Sequence, residues 1–169
     1  MLRDESPTSE QGATARRLKV ILFICTANVC RSPMAEAIFN ALADDAELPF
    51  RAYSAGVAAL EGEPMASKAR EALEEIGIRV EDHRARQLGE EMLEEADLVL
   101  AMAPQHVAEL RRLFEGFSYK VHTLPEYSSG VSGEEGITDP YGSSMVAYRA
   151  SARQISEYTS RVVEDLEQR

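Results

Sequence analysis

Two cysteines, Cys25 and Cys30, stand in the stretch VILFICTANVCRSPMAEAIF, which runs from Val20 to Phe39. Arg31 follows Cys25 after five intervening residues, and Ser32 comes next, giving the order C-x5-R-S. A loop this short, between an apolar run and a helical pattern, points several backbone N–H groups at one centre. Such a nest holds an anion. Arg31 adds a planar fork that fits two oxygens of a phosphate. The same positive surroundings favour an anionic sulfur at Cys25, and Ser32 offers a hydroxyl that can donate to it. Together these groups would lodge a nucleophile where the phosphorus of a bound phosphate comes to lie. Taken alone, a cysteine at a strand end reads as a small buried side chain. The arginine argues otherwise, because a cation at a helix N-terminus opposes the helix dipole unless an anion accompanies it.

Other phosphate loops do not fit. There is no G-x4-G-K-[ST] and no G-x-G-x-x-G after the apolar run, so neither a nucleotide P-loop nor a dinucleotide fingerprint is present. Three scattered histidines lack zinc spacing.

The elements that must position this loop follow from pattern. LKVILFI is a continuous β-branched run, the mark of a strand covered on both faces. SPMAEAIFNALADD reads as a helix with Ser32 near its start, Pro33 at its first position and Glu36 in its early turns. FRAYSAG is a second strand, MASKAREALEEIGI a helix stopped by Gly77, and GEEMLEEA a short acidic helix. DLVLAMA, PQHVAELRRLF and YKVHTL then read as strand, helix and strand. A polar loop, PEYSSGVSGEEGITDPYG, leads to a final helix over about 143–167. The alternation predicts an α/β domain over residues 18–169, a flavodoxin-like doubly wound four-stranded parallel sheet with helices on both faces. In such sheets ligands bind at the carboxyl ends of the strands. The Cys25–Arg31 loop, the turn after Gly56, the turn around Ala103 and the loop 125–142 therefore share one functional edge. Asp97 and Asp82 fall off it.

Thiolate attack on a phosphate group needs a proton donor for the leaving atom. The last loop offers Glu126, Glu134, Glu135 and Asp139. Pro140 stiffens the backbone beside Asp139, although DPYG alone also reads as a turn capping the last helix. Asn28 suits a left-handed position and would hold the loop's shape. Tyr141 would flank the mouth, where an aromatic ring can stack on a substrate. Cys30 reads either as a small buried hydrophobe or as a resolving thiol for oxidised Cys25. His83 reads as a structural hydrogen-bonding residue, His106 as a helix-surface residue and His122 as a strand residue.

Composition bounds the rest. The chain has 169 residues, 44% of them apolar, enough for one domain with a core. Residues 1–17 read as a disordered polar tail without the apolar region of a secretory signal. No run is long and apolar enough for a membrane span. Two cysteines without an export signal fit a reducing, cytoplasmic setting. A net charge of −11 argues against nucleic acid or an anionic membrane as partners.

FICTANVCRSPMAEAIF resembles the C-x5-R-[ST] signature of the low-molecular-weight protein-tyrosine phosphatase family. The resemblance continues through YSAG, HRARQL, ADLVLAM and TDPYG and covers residues 18–167. It implies a protein phosphatase without metal or cofactor, acting on a phosphorylated protein and inhibited by phosphate-like oxyanions. It implies Cys25 as nucleophile, Arg31 as phosphate fork and Asp139 as the D-P general acid. Thr26, Ala27, Asn28, Val29, Cys30 and Ser32 would form the substrate-binding loop, with Tyr141 beside it. Tyrosine phosphatases of the family carry an aliphatic residue at the position of Val29, whereas an arginine-phosphatase branch carries threonine. Val29 therefore favours phosphotyrosine. VLAMAPQH, TLPEY and the lone aromatic of DPYGSS look closer to the arginine branch, so phosphoarginine is the alternative. An arsenate reductase, which shares the fold, would need a cysteine beyond Cys30. A noncatalytic phosphate-binding or redox-sensing module would not require Asp139.

Overall fold

The computed structural model describes residues 17–80 and 82–169. Nearly all of the expected polar tail lies outside the described residues. Arg17, placed by sequence at the end of that tail, donates to Asp97 at 2.6 Å.

Four parallel strands form one sheet: β1 (Lys19–Cys25), β2 (Phe50–Gly56), β3 (Leu98–Ala101) and β4 (Val121–Thr123). Their order is β2-β1-β3-β4, the flavodoxin-like order without a fifth strand. Side chains alternate along β1 because successive Cβ atoms face opposite sides of a strand. Ile21 and Phe23 pack with Phe39, Leu73 and Ile155 from helices α1 (Arg31–Asp45), α2 (Ser67–Glu75) and α6 (Met145–Glu167). Leu22 and Ile24 pack the other way, with Leu93 of α3 (Glu90–Glu95) and Leu110 of α4 (Pro104–Leu113). Burial on both faces is what the unbroken apolar run demanded. Among the described residues no helix is long and apolar enough to cross a membrane.

The chain leaves β1 for β2 on one side and returns to β3 on the other. The carboxyl end of β1 is therefore the switch point where such sheets open a crevice, and Cys25 is the last residue of that strand. At the opposite edge Asp97 accepts from the Val20 amide at 2.8 Å and from Arg17. Asp97 thus ties β3 to β1, away from the crevice.

Three local expectations need correction. Helix α1 begins at Arg31, so Pro33 is its third residue, and no side chain caps it. Ser32 turns instead toward Cys25. The polar loop after β4 starts as a helix, α5 (Leu124–Ser129), capped by Thr123 Oγ1, which accepts from the Glu126 amide at 3.1 Å. A 3-10 stretch, Glu115–Lys120, precedes β4 and shortens it to three residues.

The cysteine loop lies flat against the end of β2. A Cβ built at Gly56 would sit 2.4 Å from the carbonyl oxygen of Thr26 and 3.0 Å from the Asn28 nitrogen. Both are backbone atoms of the loop, so no side chain can yield. Gly56→Ala is expected to lower stability by about 1–3 kcal/mol in urea unfolding. Wild-type stability would mean that the loop has slack at this contact.

Candidate active site

Cys25 is 3% exposed, and its Sγ lies 2.8 Å from Ser32 Oγ. Asn28 Nδ2 donates to the same Ser32 oxygen at 2.9 Å. Because that oxygen accepts from Asn28, its own hydrogen is free for the sulfur. The hydroxyl is thus set to donate to Cys25.

Asn28 holds the loop from within. It is fully buried with φ of 60°, the left-handed region that asparagine tolerates. Its Nδ2 also donates to Ser54 Oγ, and its Oδ1 accepts from the Arg86 amide. Its backbone carbonyl accepts from His83 Nε2 at 2.8 Å. A carbonyl cannot donate, so His83 carries its proton on Nε2. His83 is buried, and burial pushes its imidazole below the ordinary range. Asn28 and Ser32 belong to the loop expected to bind substrate, Asn28 holding its shape and Ser32 facing the sulfur. Their side chains do not line the cavity; they shape the loop that does.

Arg31 is 3% exposed. Its Nη1 donates to the carbonyl of Ile137 at 3.0 Å, and its Nη2 lies 3.5 Å from Asp139 Oδ2. Its Nε is buried without a partner among the described residues. A buried guanidinium keeps an unmet donor at high cost, so this edge of Arg31 suits an oxyanion. Asp139 is half exposed, and its Oδ1 accepts from the Tyr141 amide at 3.1 Å. Its loop is docked by close packing. The Ile137 amide donates to the Met102 carbonyl, and a Cβ on Gly136 would lie 2.5 Å from that of Ala103.

These groups surround a cavity of about 710 Å³. Cys25, Thr26, Ala27, Val29, Cys30 and Arg31 line it, with Asp139 and Tyr141 on the loop before α6. The opposite wall, Leu60, Glu63, Pro64 and Met65, comes from the turn after Gly56. The topology put that turn on the functional edge, although none of these four residues stands out by sequence. Such a site can seat a phosphate over a sulfur, with a carboxyl group beside it. Among the described residues no three His, Cys, Asp or Glu side chains converge as a metal site requires.

Cys30 is 4% exposed, with its Sγ 3.5 Å from Tyr148 Oη. Burial, eased by that contact, pushes its thiol up to about 11. It is a neutral thiol at pH 7, and both cysteines are free. His106 is not a surface residue. It is 2% exposed, with Nε2 2.9 Å from Thr26 Oγ1. Its position four residues before Leu110 placed it on the buried face of α4, a signal the sequence carried.

The family model described as "Low molecular weight phosphotyrosine protein phosphatase" matches residues 20–169. A protein-arginine-phosphatase of Bacillus subtilis (strain 168) is 39% identical over 146 residues, 86% of this chain and 95% of its own. A low molecular weight protein tyrosine phosphatase from T. tengcongensis is 42% identical in its crystal structure. It superposes with a TM-score of 0.82 over 87% of this chain and 99% of that one. A cysteine-to-serine mutant of the YwlE arginine phosphatase, solved with its active-site serine phosphorylated, is 38% identical. Its TM-score is 0.84 over 88% of this chain and 96% of that one.

Burial, and then the charge of Arg31, lowers the His106 imidazole to about 4. In the unfolded chain it takes its proton near ~6.5. Between these values the unfolded state binds more protons, so stability falls as pH drops through that window and levels off below it. The share of stability lost is roughly 2–3 kcal/mol. Urea unfolding of wild type and His106→Gln between pH 7 and pH 4 is expected to show wild type losing that much more than the variant. Parallel curves would mean that the folded protein charges this ring freely.

Proposed function

The chain belongs to the low molecular weight phosphotyrosine protein phosphatase family, and we propose that it hydrolyses phosphotyrosine in proteins with Cys25 as nucleophile and Asp139 as general acid. The phosphate binds over the cysteine loop, held by backbone amides and by the unpaired edge of Arg31. The Cys25 thiolate attacks phosphorus in line, and the bond to the tyrosine oxygen breaks. Asp139 gives its proton to that oxygen as it leaves. The Asp139 carboxylate then takes a proton from water, the water oxygen attacks the phosphocysteine, and the sulfur departs as a thiolate. Ser32, 2.8 Å from Sγ, stabilises the sulfur anion at the start and at the end.

One observation carries the reading. Cys25 sits beneath a cavity whose single lining cation among the described residues, Arg31, is buried and keeps an unmet Nε donor. A structural cysteine would need neither the cation nor the donors. Half-exposed Asp139, 3.5 Å from Arg31, is within reach of the same bound group.

Val29 on the cavity wall supports phosphotyrosine, because an aliphatic side chain cannot accept or donate to a phosphorylated guanidinium. A second observation favours phosphoarginine. Two carboxylates, Glu63 and Asp139, line the cavity, and a phosphorylated guanidinium brings a positive charge that a tyrosine ring lacks. The likeness to protein-arginine phosphatases points the same way. Phosphorylated protein is the common partner under either reading.

Turnover of matched phosphotyrosine and phosphoarginine peptides decides between them, with Val29→Thr alongside. Wild type is expected to prefer phosphotyrosine and the variant to gain on phosphoarginine; a wild-type preference for phosphoarginine reverses the substrate assignment and leaves the mechanism standing. Asp139→Ala is expected to lower kcat by roughly 10²–10⁴-fold while phosphate still binds. Cys25→Ser should abolish turnover. Substantial hydrolysis without Cys25 would end the proposed mechanism.

A further inference from the structure

We propose that His106 is a positioning residue that fixes the Thr26 hydroxyl as an additional hydrogen-bond donor to the bound phosphate, an inference that rests on reading the cavity as an oxyanion site. Thr26 follows Cys25 directly and lines the cavity. Its Oγ1 lies 2.9 Å from Nε2 of His106, whose own Nδ1 is buried and has no partner among the described residues. His106 sits in the first turn of α4, after Pro104, and its amide bonds back to the Ala103 carbonyl. The ring is therefore anchored from the β3 side of the crevice, independently of the cysteine loop.

The two nitrogens decide the direction of the bond. A neutral imidazole carries one N–H. On Nδ1 it would be a buried donor with nothing to accept it, the costlier arrangement. On Nε2 it donates to Thr26 and leaves only a lone pair bare at Nδ1. Thr26 Oγ1 is then an acceptor toward His106, and its own hydrogen is free for an oxygen in the cavity. The neutral form dominates at pH 7, because burial and then Arg31 lower the ring to about 4, opposed only by Asp139. A charged ring would have to direct a second N–H at Nδ1, where no acceptor waits.

The loop amides and Arg31 already surround an oxyanion. The added hydroxyl gives the first residue after the nucleophile a side-chain contact as well. An exposed threonine rotates among several rotamers. Held by His106, it arrives with one rotamer chosen before phosphate binds, which is the condition for a donor to strengthen binding. The contact is made to bound phosphate in ground state and transition state alike, so it should act on KM more than on kcat.

The test uses inorganic phosphate binding by calorimetry and hydrolysis of para-nitrophenyl phosphate. Wild type is compared with Thr26→Val, Thr26→Ser, His106→Gln and His106→Asn. Glutamine places its amide nitrogen near the position of Nε2, and asparagine near that of Nδ1. Thr26→Val and His106→Asn are each expected to weaken phosphate binding about tenfold, with KM rising in step and kcat little changed. Thr26→Ser and His106→Gln should stay within about twofold of wild type. The double variant, Thr26→Val with His106→Asn, should bind no more weakly than Thr26→Val alone. Wild-type affinity in Thr26→Val overturns the proposal, as does a His106→Gln as weak as His106→Asn, or a double variant whose losses add. Should His106→Asn fail to fold, Thr26→Val against Thr26→Ser and the behaviour of His106→Gln still decide the matter. A wild type that binds no phosphate overturns the oxyanion reading itself, and this proposal with it.

Discussion

A full positive charge held out of water is the constraint on which this molecule turns. The Arg31 guanidinium is 3% exposed, one end of it on the Ile137 carbonyl, another near Asp139, and its Nε on nothing. Burying a cation costs several kcal/mol even after relaxation. A carbonyl and a half-exposed carboxylate at 3.5 Å offset only part of that. A bound anion would offset the remainder, and neighbouring features accord with the same charge. The helix that begins at Arg31 has no side-chain cap competing for the loop centre. The loop carrying Asp139 is drawn across the crevice by the Ile137 contact. His106 is kept neutral partly because a second cation beside the first would be repelled.

The loop around this charge is rigid for a reason lodged in one residue. Asn28 spends both amide hydrogens, its side-chain oxygen and its backbone carbonyl on four different partners. Those partners come from the first turn of α1, from β2 and from the segment 83–86. Replacing such a hub leaves several buried groups unmatched at once, which costs more than any single bond. The preorganisation that an oxyanion site would require is thereby built from a side chain that does not line the cavity.

Much of this is legible in the sequence. β2 runs over the residues of FRAYSAG, and the apolar run before Cys25 is β1, because a strand buried on both faces leaves no other pattern. The crevice position of Cys25 followed from topology alone. Asp139 was singled out by its proline and by resemblance. Other features were hidden by short-range competition. Thr123 and Glu126 form a T-x-x-E start signal, yet the surrounding Ser and Gly residues read as loop. Ser32, read from the sequence as a hydroxyl that can donate to the sulfur, lies 2.8 Å from it and makes no cap to the helix. His106 looked solvated because histidine is polar, although its spacing to Leu110 put it inside. Leu60, Glu63, Pro64 and Met65 carry no pattern of their own; they matter only through the wall they form.

The sulfur and the carboxyl group come from opposite ends of the folded order. Cys25 closes the first strand, while Asp139 lies on the last connection before α6. Between them stand all the other strands and helices but α6, and Arg31 reaches the Asp139 loop only when both are in place. During synthesis the early segment emerges first. On the proposed mechanism, a partly made chain would expose the Cys25 sulfur well before it could gain Asp139 as its proton donor, and hydrolysis would switch on only as the final segment docks.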